Sequence, residues 1–189
     1  MTIGIGIVDP EHKKIFLAAD TIITYGEDLK KEAGSKFIEV GDECLIIGAG
    51  TVRLSQIFNL LVRDHSDLLK FKNELDVVAL AEAFYERVNV AGVGEANNND
   101  TPIHEFEFLI ANKLSPYLYI IEGDYSVSQF KDYAAIGAGF LHAQAALHTL
   151  NSVGIKGKAA LEVAMKTTLH LHPYCGGQVE IRELPLLDN

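Results

Sequence analysis

Thr2 follows the first methionine and opens an apolar, β-branched run, Thr2-Ile3-Gly4-Ile5-Gly6-Ile7-Val8. Removal of Met1 leaves a single residue carrying both a hydroxyl nucleophile and a free α-amine. Such an amine has an ordinary pKa near ~7.7, so close to neutral pH a useful fraction is unprotonated and can take the hydroxyl proton. Activation of threonine by its own N-terminal amine is a recognised route to covalent catalysis. With Met1 attached, the same nitrogen is an amide and cannot act as a base. Other residues along the chain could complete a site. Asp20 ends an apolar run, Lys36 follows Gly34-Ser35, and Gly48-Ala49-Gly50 and Gly137-Ala138-Gly139 each stand before a helical pattern. Helix starts expose backbone N–H groups that can hold an anion or a developing oxyanion. Taken singly, glycines also make tight turns, and Asp20 and Lys36 also read as surface charges.

These residues must be placed by the elements around them. β-branched periodicity predicts strands over residues 2–9 and 14–20, joined by a turn at Asp9-Pro10-Glu11-His12, with a loop tip at Tyr25-Gly26-Glu27-Asp28. Short strands follow at 36–40 and 44–47. Helical spacing of Leu54, Ile57, Phe58, Leu61, Val62 and Leu68-Leu69 predicts a helix from Thr51 to about Lys72, and a second spans about 76–90. A Gly- and Asn-rich loop covers 91–102. Strands then resume at 106–111, 118–121, 126–130 and 133–136, helices at 140–150 and 158–171, and a closing strand at 178–184. Strands, paired helices, strands, paired helices and a strand imply an α+β arrangement of two packed antiparallel sheets between helical layers.

Length and composition bound the function. The 189 residues suit one domain, residues 1–189, with no linker or low-complexity segment. The chain has 16 basic and 26 acidic side chains and a net charge of −10, with only isolated lysine pairs, which argues against nucleic-acid binding. Cys44 and Cys175 form no CxxC or metal-finger pattern. With no secretory leader and no apolar run near ~20 residues, the chain is expected to be soluble and cytoplasmic, without a membrane span. His170 and His172 stand two apart at a helix end and so share no helical face; with His142 they read as capping and core residues rather than a metal site. No cofactor is expected.

Taken in order, these motifs resemble the β-type proteasome subunits and their bacterial relative HslV, members of the N-terminal nucleophile (Ntn) hydrolases. The carriers are the Thr2 strand, Leu17-Ala18-Ala19-Asp20, Gly34-Ser35-Lys36-Phe37-Ile38-Glu39-Val40, Ile47-Gly48-Ala49-Gly50-Thr51, and Ala135-Ile136-Gly137-Ala138-Gly139 followed by Ala143-Gln144-Ala145-Ala146. The likeness runs from Thr2 through Leu184. It implies a four-layer α-β-β-α sandwich and a threonine peptidase. In that scheme Thr2 is the nucleophile, Lys36 lowers its hydroxyl pKa or relays a proton, and Asp20 holds the lysine. Gly50 supplies the oxyanion N–H, with Gly48 as the second choice. By position, Ile23, Ile38, Gly48 and Val52 wall the substrate pocket and favour apolar side chains.

The resemblance also implies peptide or unfolded-protein substrates, a homo-oligomeric ring of six or seven subunits, possibly double, and an ATPase partner. The spacing from Thr2 to Asp20 is two residues longer than usual, which a longer hairpin around Pro10 absorbs. Two departures stand out. Ala138 occupies the place of a serine that bonds the N-terminal amine. His172 and Cys175 fall where many proteasome subunits carry aspartate and serine, although HslV-type proteins also lack that aspartate. A catalytically weak or inactive ring or scaffold subunit, and an Ntn amidase acting on small amides, are the competing expectations.

Overall fold

The computed structural model of the protein describes residues 1–25, 29–32, 34–93 and 104–187. Its strands are β1 (Gly4–Asp9), β2 (Lys14–Asp20), β3 (Ile22–Tyr25), β4 (Leu29–Glu32), β5 (Phe37–Ile38), β6 (Cys44–Gly50), β7 (Phe106–Asn112), β8 (Leu118–Ile121), β9 (Val127–Phe130), β10 (Tyr133–Ile136) and β11 (Val179–Pro185). The helices are α1 (Val52–Asp64), α2 (Glu74–Val90), α3 (Phe140–Ser152) and α4 (Gly157–Leu171), with a short 3₁₀ turn at Ser66–Leu69.

The first hairpin is set by its turn. Asp9 Oδ1 accepts the His12 N–H at 3.1 Å, and β1 and β2 then pair from Gly4↔Ala19 to Asp9↔Lys14. β10 adds to β1 and β11 to β2, giving a four-stranded antiparallel sheet in the order β10-β1-β2-β11. A five-stranded antiparallel sheet has the order β5-β6-β7-β8-β9, and β3 with β4 makes a separate hairpin.

Side-chain alternation sorts the strand residues into three apolar layers. Ile3, Ile5 and Ile7 pack outward on Ala143, Leu147, Leu161 and Met165 of α3 and α4. Ile15, Leu17 and Ala19 face inward, against Ile47, Leu109, Leu118 and Ile120 of the second sheet. That sheet turns Phe106, Phe108 and Ile110 outward onto Leu54, Phe58, Leu80 and Phe84 of α1 and α2. The order is helices, sheet, sheet, helices, as the resemblance implies. Covering both faces explains why β1 is buried at every position instead of alternating with polar residues. A Cβ on Gly4 would stand 2.9 Å from Ile136 and Ile47 side-chain atoms, so the missing side chain lets the two sheets approach there.

Several boundaries differ from expectation. The helix expected over 51–72 stops at Asp64; His65 closes it by donating its N–H to Leu61 O at 2.9 Å, and the 3₁₀ turn follows. α2 starts earlier than expected because Asn73 caps it: Asn73 Oδ1 accepts the Asp76 N–H at 3.2 Å, and Asp76 Oδ2 accepts the Asn73 N–H at 3.3 Å. The strand expected over 36–40 shrinks to two residues. The β3–β4 hairpin was not expected, and most of the loop tip expected at 25–28 lies outside the described residues. Among the described residues no helix is long and apolar enough to cross a membrane.

Candidate active site

The register of the first sheet brings distant residues to one edge. Gly4 pairs with Ala19 on one side and Ile136 on the other, so the chain before Gly4 runs between Asp20 and the Gly137 turn. Asp20 fastens it there. Its N–H donates to Ile3 O at 3.2 Å, and its Oδ1 accepts the Ile3 N–H at 3.0 Å. Oδ2 accepts the Gly176 N–H at 3.0 Å. The Asp20 side chain is fully buried, and such a charge is tolerable only with donors around it. Its ion-pair partner is Lys36, whose ammonium bonds Oδ1.

Lys36 reaches this point from the other sheet. Its carbonyl accepts the Gly48 N–H at 3.3 Å, which holds the residue just ahead of β5. Arg182 of β11 supports the same segment, lying 4.4 Å over the Phe37 ring and bonding Glu39 at 2.8 Å. The Lys36 side chain is 7% exposed, and its Nζ donates to Met1 O at 3.1 Å. The ammonium therefore touches the carbonyl of the peptide bond that leads into Thr2. Burial holds its pKa below the ordinary lysine range, against the pull of Asp20. The Met1 amine is likewise lowered, by burial and then by the Lys36 charge.

Gly50 ends β6 with φ +95°, and a Cβ there would stand 2.1 Å from Glu105 O, so no other residue fits without moving the backbone. Thr51 N–H donates to Glu105 O at 2.8 Å, toward β7. N–H directions alternate along a strand, so the Gly50 amide points to the opposite edge, where the Gly48 amide already bonds Lys36 O. Of the two oxyanion donors expected from sequence, Gly48 is committed and Gly50 faces the cleft.

A cleft of about 360 Å³ opens beside Thr2. Met1, Thr2, Ile23, Lys36, Ile38, Gly48, Gly50 and Val52 line it, so every pocket residue expected from sequence is there. Asp20 stands behind it, reached through Lys36. The polar wall of Ser35, Ser55, Gln56 and Asn59 was not expected. A second cleft of about 290 Å³ meets Thr2 on its other side and includes Gly50, Glu105, Glu107, Gly137 and Ala138. Glu107 is the notable addition, with Oε2 accepting the Gly137 N–H at 2.6 Å. Its signal was present in the chain: one carboxylate between Phe106 and Phe108 in a run, 106–111, that is otherwise apolar. Cys175 is buried close by, and burial pushes its thiol up to about 11, so at neutral pH it is uncharged. His172 lies 5.8 Å from the His142 ring, and its Nδ1 accepts the Tyr174 N–H at 3.3 Å.

The family model for proteasome subunits matches residues 11–183. The chain belongs to the proteasome subunit family. Solved structures agree on the fold of this proteasome-family chain. Thiobacillus denitrificans BPH is similar over 100% of both chains at 18% identity, with a TM-score of 0.78. The same protein in complex with Epoxomicin is 19% identical over 100% of both chains, also at 0.78. HslV from Trypanosoma brucei is 18% identical over 98% of this chain and 99% of its own, with a TM-score of 0.73. No curated protein sequence matches significantly.

Proposed function

We propose that this chain is a threonine-type peptidase subunit whose nucleophile is Thr2 Oγ once Met1 is removed. The observation that carries the reading is the buried Lys36 ammonium, held by Asp20 and in contact with the Met1 carbonyl at the entry to Thr2. In the proposed cycle the Thr2 α-amine takes the Oγ proton as Oγ bonds to the carbonyl carbon of the substrate. The Gly50 N–H holds the oxyanion, and Lys36 stays charged to keep the alkoxide accessible. Collapse of the adduct breaks the C–N bond; the ammonium returns its proton to the leaving amine, and an ester on Thr2 remains. Water, deprotonated by the same amine, hydrolyses that ester. Ile23, Ile38 and Val52 give the acyl side of the substrate an apolar wall. Peptides or unfolded protein, a ring of identical subunits in the cytoplasm and an ATPase partner complete the reading by family analogy, within a single domain spanning residues 1–189.

A second reading, a ring subunit without turnover, is favoured by Ala138, which offers the amine no side-chain acceptor. Mass spectrometry of protein from its own host separates the two. A chain beginning at Thr2, labelled on that residue by a peptide boronate or by epoxomicin, is the expected result. Thr2→Ala abolishes the label, and Lys36→Ala lowers turnover on the order of 10²–10⁴-fold. Retention of Met1 with no label would remove the peptidase reading.

A further inference from the structure

Phe106, Phe108 and Ile110 of β7 face α1 and α2, while Leu109 and Ala111 face the other sheet. By alternation Glu107 also points between the sheets, at the end where Thr2 lies. A carboxylate in that layer is costly without a partner. Burial pushes its pKa up, the bond from Gly137 opposes that rise, and Glu122 adds repulsion. Oε2 bonds the Gly137 N–H at 2.6 Å, and Gly137, at φ +84°, lies directly on Thr2: a Cβ there would stand 2.3 Å from Thr2 O. Glu107, Gly137, Ala138 and Thr2 line one cleft, and the Ala138 side chain has no polar atom. Among the described residues, Gly137 is the one donor bonded to Glu107.

We propose that Glu107 is the positioning residue for Thr2: Oε2 fixes the Gly137 turn over it, and Oε1 accepts from the α-amine that removal of Met1 creates. This assignment rests on the Thr2 peptidase reading. An α-amine has a single lone pair, which must be aimed at Oγ to take its proton. One N–H bonded to a fixed carboxylate stops rotation about the Cα–N bond and sets that aim. The carboxylate also favours the ammonium formed as the proton moves. The other titratable groups around this end of the sheet are Lys36, Asp20, Cys175, Glu105 and Glu122.

The test is kinetics across pH on protein with Met1 removed, using a fluorogenic peptide. Glu107→Gln keeps one acceptor oxygen and the shape but loses the charge and the second acceptor. It is expected to lower kcat about tenfold to a hundredfold with KM little changed. It also moves the acid limb of kcat/KM about one pH unit lower, because the amine no longer sits beside a negative charge. Ala138→Ser, which places a hydroxyl acceptor beside the same turn, restores most of kcat in the Glu107→Gln background. Thermal unfolding of each variant shows that the fold is intact. An active wild type with kcat and acid limb unmoved in Glu107→Gln overturns the assignment and leaves the peptidase standing. A wild type with no turnover and no boronate label removes the peptidase reading and this assignment with it.

Discussion

At the residue scale, the candidate site depends on groups that folding holds away from their ordinary ionisation. Lys36 is held below the lysine range by burial and Glu107 above the carboxylate range. Stability and reactivity therefore pull in opposite directions. For Glu107 the sign is definite. A carboxyl whose folded pKa is raised keeps its proton in the native state after the unfolded chain has lost it. Stability then falls as pH rises from the ordinary value of 4.5 through the folded value. Glu107→Gln, which has no proton to lose, is expected to be the more stable protein at neutral pH. That advantage disappears below the ordinary glutamate pKa. Urea midpoints of both proteins at neutral and acid pH check this, and equal midpoints at neutral pH would contradict it. Asp20 shows the other solution to the same problem: three N–H donors converge on a side chain with no exposure.

At the scale of elements, the sheets set where the candidate-site groups stand, and the helices keep the sheets in place. α1 and α2 are joined to β7 through an aromatic cluster. Phe84 packs edge-on against Phe58, Phe106 and Phe108, with centroids 5.1, 5.2 and 5.4 Å apart. Its side chain is fully buried. Phe84→Ala leaves a cavity among these rings and is expected to cost about 3–5 kcal/mol in denaturant unfolding. Because β7 carries Glu107 and pairs with β6 as far as Gly50, the same variant is expected to lose activity below its new melting range. β5 has only two residues, and its position depends on Arg182 stacking over Phe37 and on its pairing with β6. Period-2 and helical patterns made most elements legible. The Asn73 cap and the β3–β4 hairpin were harder to read, because both depend on local hydrogen bonding more than on apolar spacing.

At the scale of the whole molecule, the outer helices carry apolar side chains that the described residues leave uncovered. Leu141 at the start of α3 is 66% exposed and Val163 of α4 is 43% exposed. The net charge of −10 opposes non-specific clustering of such faces. Head-to-tail contacts that close on themselves make rings, which is the assembly proposed for this family member. Mass photometry is expected to give a single species of six or more subunits, and Leu141→Glu to shift it toward smaller ones. A monomer at micromolar concentration would rule the ring out.

The sequence by itself determined the layered α+β class, the family, and the order Thr2, Asp20, Lys36, Gly50 along the chain. Strand periodicity and small-residue turns are local signals, and they survive without knowledge of partners. It also carried the apolar pocket wall, because Ile23, Ile38 and Val52 lie next to those motifs. Only the tertiary structure decided which of two glycine amides faces the cleft, since that follows from the Gly48 bond to Lys36 O across two strands. Glu107 needed it as well. A charged residue in a strand reads as a break in pattern, and only the pairing of β1 with β10 brings Gly137 onto Thr2 and gives that carboxylate its place at the Thr2 end of the sheet.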